Sequence, residues 1–240
     1  MSTQAQSETE FEEPPGQPEE RAAQSEGPAA QAGERAAQSE GPAAQAGEWA
    51  ERPEELDDQP EELDEETRAR RDAALRRVRK LGDPVLRTSA VAVERFDESL
   101  QAEVELMGRL MEDALGVGLA ATQIGVLHRV LVYKAYADDQ ITTLVNPVLE
   151  WASEEREAAE EGCLSIPGVH VEVERAARVR VRALDPHGKE LVVEAEGLPA
   201  RVIQHEMDHL EGVLILDRIS REARREAMRA LREAREAAPV

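Results

Sequence analysis

Gln204-His205-Glu206-Met207-Asp208-His209 is the stretch on which the reading of this chain turns. It lies inside a segment, Leu198 to about Glu211, whose pattern after Gly197 is that of a helix. Residues four apart stack on one face of a helix, so His205 and His209 can aim ring nitrogens at a single ion. Glu206 stands one position round the cylinder, better placed to handle a water molecule than to be a third ligand. A metal lowers the pKa of water it binds to about 7, within reach of a neighbouring carboxylate. Two histidines four apart also arise by accident, hydrogen-bonded in a core, so the pattern needs a third ligand to become a site.

Two sources of that ligand are open. A metzincin would carry a third histidine at the position of Ile215, which excludes that class. A downstream carboxylate could come from Glu222, Glu226, Glu233 or Glu236, but these alternate with arginines at helical spacing and read as solvated ion pairs. The better ligand is Cys163, the single cysteine, in Glu161-Gly-Cys-Leu-Ser165 followed by Ile166-Pro167-Gly168. A lone cysteine rules out an internal disulfide, and in a Gly-flanked turn upstream of a two-histidine helix it is a credible thiolate ligand. His128 and His187 read as a strand-edge and a turn residue, and neither is expected to bind metal.

Outward from the helix the pattern is mixed. Residues 67–82, with Leu75, Val78 and Leu81, predict a short helix broken by Asp83-Pro84. A stronger helix is expected from about Asp97 to Leu115, with Leu100, Val104, Met107 and Met111 on one face and Asp97 or Ser99 as its cap. Gly116-Val-Gly118 ends it. Strands are expected at 130–133, 141–145 and 178–184, the last alternating Arg and apolar residues. Asp185-Pro-His-Gly188 is turn chemistry, with 190–194 returning as the hairpin partner. The acidic stretch before Cys163 reads as a loop, and a final helix as 220–237. Helix, several strands, helix, helix is the order of an α+β domain rather than of βαβ units.

The first 67 residues are of another kind. They hold 20 Asp/Glu and three Arg, and so carry −17 of the chain's net charge of −22. Arg21 through Glu34 recurs unchanged as Arg35 through Glu48, a 14-residue period of Ala, Gln, Gly, Pro and Glu. So short a period with no core-forming face is no solenoid, and so little apolar surface predicts a disordered extension over 1–67 ahead of a folded domain at 68–240. A solvated, solubilising tail and a docking arm for a basic partner both remain open for it. The N-terminus lacks the basic and apolar regions of a secretory signal, and its acidity is foreign to transit peptides. With no long apolar run and no disulfide pair, the chain is expected in the cytoplasm, with neither membrane nor DNA as a partner.

Three segments together resemble the peptide deformylase family: Gly116-Val-Gly-Leu-Ala-Ala-Thr-Gln123, Glu161-Gly-Cys-Leu-Ser165 and Gln204-His-Glu-Met-Asp-His209. Each is modest alone; their joint occurrence in this order, across about residues 78–235, is highly specific. The resemblance implies antiparallel strands around a central HExxH helix, followed by a C-terminal helix. It implies that Cys163, His205 and His209 hold the metal with water as fourth ligand, and that Glu206 is the general acid/base. Gln123 and the Leu164 N–H would serve the oxyanion, the backbone of Val117 and Gly118 would pair with an extended substrate, and an apolar pocket would take Met. The implied activity is removal of the N-formyl group from formyl-Met nascent proteins, with formate as product. Ligand chemistry alone reads as zinc, whereas the resemblance implies Fe²⁺, with Zn²⁺, Ni²⁺ or Co²⁺ as substitutes. It also suggests a ribosome contact through the Arg-rich stretch Arg221 to Arg235. The chain departs from the family at His170, where Arg or an aromatic residue is common beside the substrate channel. The alternative enzyme is an HExxH metallopeptidase cutting internal bonds.

Overall fold

Backbone hydrogen bonding organises the chain around one antiparallel sheet, seen in a computed structural model that describes residues 63–237. Most of the acidic extension expected over 1–67 lies outside the described residues. The sheet holds five strands in the order β1-β2-β3-β6-β7: β1 Gly118–Ala120, β2 Val130–Tyr133, β3 Thr142–Ala152, β6 Arg178–Leu184 and β7 Glu190–Glu196. A separate hairpin pairs β4 Arg156–Gly162 with β5 His170–Ala176. The helices are α1 Glu65–Leu75, α2 Glu98–Asp113, α3 Leu198–Leu210 and α4 Arg221–Ala237. This is the expected α+β fold, with antiparallel strands around the helix that carries the two histidines.

Side-chain alternation makes the sheet amphipathic. Val179, Val181 and Ala183 of β6 point into the core and Arg178, Arg180 and Arg182 out of it. Those inward residues join Leu131, Leu144, Ala200, Ile203 and Leu210 in one apolar cluster, which seats α3 on the sheet. A second cluster, built on Leu100, Met107, Leu110 and Met111, packs α2 against β1 and β2. A third joins Val171 and Val173 of β5 to Leu214, Ile215 and Leu216, and to Ala227 and Leu231 of α4. Helix α3 thus runs between the large sheet and the small hairpin, in contact with β1, β2, β7 and β5.

Four expectations need correction. The first helix was expected over 67–82 but spans 65–75, because the following backbone finds partners elsewhere. Arg79 N–H donates to Gln123 O at 2.7 Å and Leu81 N–H to Ser165 O at 2.9 Å. Strand β3 does not stop at Val145. Asn146-Pro147 breaks the sequence pattern, but a register shift between Val145 and Val148 absorbs it, with Asn146 at φ 52. The Asn146 side chain meanwhile bonds both Val93 N and Val93 O. The acidic stretch before Cys163 is strand β4 rather than a loop: it has no apolar alternation, and only Glu161 of its side chains is buried. Gly116-Val-Gly118, expected only to end a helix, leads directly into the three-residue strand β1.

Candidate metal centre

Helix α3 begins after Gly197, whose φ of 62 suits glycine, and has Pro199 in its first turn. Its buried residues include His205, Glu206, Asp208 and His209. The two imidazoles lie on one face with ring centroids 5.1 Å apart. Strand β4 ends at Gly162, so Cys163 is delivered to the same place by the hairpin. Cys163 Sγ lies 3.2 Å from His209 Nε2, and one ligand atom from each of Cys163, His205 and His209 lies within 4.8 Å of the others. Among the described residues no glutamate of α4 joins that group.

Burial pushes the Cys163 thiol up, but the His209 and His205 imidazoles beside it outweigh burial and hold it well below its usual value. A thiolate against two nitrogens is a donor set for a transition-metal cation. Two buried atoms of this cluster, His209 Nδ1 and Glu206 Oε2, also lack a hydrogen-bond partner among the described residues. Orphaned polar atoms in a core call for a partner. A carboxylate oxygen left open beside the ligand set fits a water at a bound ion.

Glu206 is 4% exposed. Burial raises its pKa, and the nearby imidazoles offset this only in part. Its approach to the backbone explains Gly118: a Cβ there would collide with Glu206 Oε1 and stand 2.8 Å from Val202 Cγ1. Gln123 is 1% exposed, with Oε1 accepting from Ala120 N at 2.8 Å and Nε2 turned toward Ser165 Oγ at 3.3 Å and Cys163 Sγ at 3.8 Å. That anchoring aims an amide donor into the site. The Leu164 N–H makes no hydrogen bond among the described residues, while Leu164 O accepts from Lys80 Nζ at 2.9 Å. Val117 and Gly118 lie at the start of edge strand β1, with β2 on one side only. All eight residues expected at the site, except the deeper His209, line one cleft of about 350 Å³. His170 lines it too, its ring packed so closely on Gly162 that a Cβ there would meet Cδ2 at 2.8 Å.

Sequence reasoning missed a buried ionic chain behind Cys163 and the two histidines. His205 Nδ1 donates to Glu161 Oε2 at 2.9 Å, leaving Nε2 for the site. Arg175 holds Glu161 with two bonds of 2.9 Å, and Arg201 Nη1 adds a third at 2.8 Å. Arg175 continues to Asp208 Oδ2 at 2.6 Å, which Arg218 also grips. Burial raises the Glu161 pKa, yet the hydrogen bonds from His205 and Arg175 win and lower it to about 2. Glu161 is therefore a fixed anion that sets the His205 tautomer. Glu161→Gln is expected to weaken metal binding by about 10–100-fold. It should also destabilise the fold by about 3 kcal/mol, since buried Arg201 loses its counter-charge and Arg175 keeps only Asp208. Metal titration and thermal melts of the same variant would check both.

A half-buried thiolate and two buried imidazoles facing an open carboxylate, all held on one α+β domain, define a metal-dependent hydrolase. A sequence model of the family described as polypeptide deformylase matches residues 75–225. Among relatives, the peptide deformylase of Parafrankia sp. (strain EAN1pec) is 46% identical over 161 residues, covering 67% of this chain and 87% of that protein. The peptide deformylase of Thermotoga neapolitana is 50% identical over 143 residues, covering 60% and 86%. The crystal structure of a peptide deformylase from Legionella pneumophila superposes with a TM-score of 0.63 at 41% identity, covering 68% of this chain and 98% of that one. This chain belongs to the polypeptide deformylase family.

Proposed function

We propose a residue-level account of how this family member works. The chain is a metal-dependent hydrolase that removes the formyl group from the N-terminal formyl-Met of newly made proteins. In our reading Cys163, His205 and His209 hold the ion, which when bound supplies Lewis acidity for activating water and polarising the formyl carbonyl. Glu206 takes the water proton at its open Oε2 and passes it to the leaving amine; burial holds its pKa up, which favours a group that must both accept and release a proton. The Gln123 amide, which turns toward Ser165 Oγ and Cys163 Sγ, and the Leu164 N–H, unpaired among the described residues, stabilise the charge growing on the formyl oxygen. The edge of β1 at Val117 and Gly118 pairs with the substrate backbone as an added strand. The apolar walls of the cleft, from Leu115, Val117, Leu164 and Ile166 among others, receive the methionine side chain.

The convergence of Cys163, His205 and His209 within 4.8 Å carries the account. It also disfavours an internal-bond metallopeptidase, which would draw its third ligand from a carboxylate. Formate release from formyl-Met-Ala-Ser without internal cleavage tests the distinction, and cleavage within the peptide would contradict it. Fe²⁺ is the ion we assign, on family resemblance; a thiolate-held ferrous ion makes the enzyme air-sensitive, so metal analysis of protein purified without oxygen should find iron.

A cytoplasmic setting suits this substrate, and among the described residues no helix is long and apolar enough to cross a membrane. Transient docking to ribosomal RNA falls to α4, where Arg221, Arg224, Arg225, Arg229 and Arg232 line one surface groove with Met228. Ala227 and Leu231 anchor α4 in the core, so charge reversal at Arg225, Arg229 and Arg232 is a gentler probe than truncation. It is expected to abolish ribosome co-sedimentation while formate release from a tripeptide persists; co-sedimentation that survives it would refute the contact.

A further inference from the structure

The cleft that opens on Cys163 and Glu206 has one wall from outside the family's matched region. That match starts at residue 75, whereas α1 spans Glu65–Leu75. Arg71 and Leu75 are four apart, so they share a helix face, and both line the cleft. Helix α1 is firmly seated there. Asp64 caps it by accepting from Thr67 N at 2.9 Å, and Ala74 is buried in the apolar cluster of Met107 and Met111, with Leu75 packed against it.

Charge singles out Arg71 within this wall. Among the other charged groups of the cleft, Glu161 is held by Arg175 and Arg201, and Glu160 lies 3.9 Å from His170 Nδ1. Glu206 faces the metal-ligand cluster. On α1 itself, Arg68 bonds Leu63 O and Arg70 bonds Thr67 Oγ1. Arg71 is half-buried and makes no ion pair or hydrogen bond with any described residue. A guanidinium is a rigid fork of donors that matches a carboxylate. Standing in the cleft, it meets no such anion among the described residues.

We propose that Arg71 is a specificity-determining residue that binds a carboxylate of the substrate beyond its formyl-Met, so that acidic formyl peptides are favoured. The proposal rests on the reading of this cleft as the formyl-peptide site. The carboxylate has two sources, an Asp or Glu side chain or the free C-terminus of a short peptide. Arg71 comes from α1, which carries none of the reacting groups, so it acts through KM rather than kcat.

Steady-state formate release by the full chain tests this with C-terminally amidated formyl-Met-Ala-Asp, formyl-Met-Ala-Ser and formyl-Met-Ala-Lys, and with the serine peptide as free acid. Wild type should prefer the Asp amide to the Lys amide. Arg71→Ala should lower kcat/KM for the Asp amide by about 2- to 5-fold through KM, a half-exposed ion pair being worth that much, and leave the Ser amide unchanged. Arg71→Glu should invert the order of the Asp and Lys amides, and raised salt should shrink every difference. An advantage of the serine acid over its amide that vanishes in Arg71→Ala assigns the C-terminal carboxylate as a source. Equal Asp-to-Lys ratios in wild type, Arg71→Ala and Arg71→Glu, with the Ser amide still turned over, would overturn the proposal. No formate from any peptide would instead overturn the deformylase reading and this one with it.

Discussion

Cys163→Ala is expected to leave a folded protein that neither retains its metal through gel filtration nor releases formate, with kcat/KM down by at least about 10⁴-fold. The proposed site has three protein ligands, of which Cys163 brings the negative charge. Its sulfur lies 3.2 Å from His209 Nε2, held low in pKa by the two imidazoles after burial has been overcome. Without it two neutral rings face a cation alone, and the charge neutralisation that justified burying it is gone. The fold should survive, because Cys163 only packs against the edge of the third apolar cluster. Loss of metal with retained thermal stability, measured on one preparation, is the signature. Near-stoichiometric metal in this variant would remove the thiolate from the coordination sphere.

Glu206→Ala should separate chemistry from binding. It is expected to cost about 10²–10⁴-fold in kcat while metal content stays near that of wild type. Glu206 is next to His205 in sequence but turned toward Gly118, and its Oε2 has no protein partner among the described residues. Burial holds its pKa up, so this carboxylate gains little from folding and its removal should not lower the melting temperature. A functional group that the fold tolerates rather than needs fits the usual trade between activity and stability. Retention of near-full activity in Glu206→Ala would place the proton shuttle elsewhere.

How much of this was legible in the sequence depended on where the information lay. Helix α3 and strand β6 announce themselves, since apolar spacing and burial agree at Ile203 and Leu210 and at Val179 and Val181. Strand β4 does not. Arg156-Glu-Ala-Ala-Glu-Glu-Gly162 carries nothing for a core, and its register comes from backbone pairing with β5. Nothing within the acidic run itself marks Glu161 as its one buried side chain.

One signal for it existed. Arg175 follows Val171 and Val173 at period two, which places a guanidinium on the inward face of β5 and demands a buried acid opposite. The true end of α1 was beyond reach, because it is set by bonds from Arg79 and Leu81 to residues more than forty positions away. The motif residues Gln123, Cys163, His205, Glu206 and His209 were each visible. Their supports, Lys80, Glu161, Arg175, Arg201 and Asp208, are joined to them only in three dimensions.

X-ray absorption at the metal edge of the loaded, oxygen-free protein tests the central claim most directly. The account predicts one sulfur neighbour at ~2.3 Å together with nitrogen or oxygen neighbours near ~2.1 Å, the sulfur shell vanishing in Cys163→Ala. A spectrum fitted by nitrogen and oxygen alone, unchanged by that substitution, would contradict it.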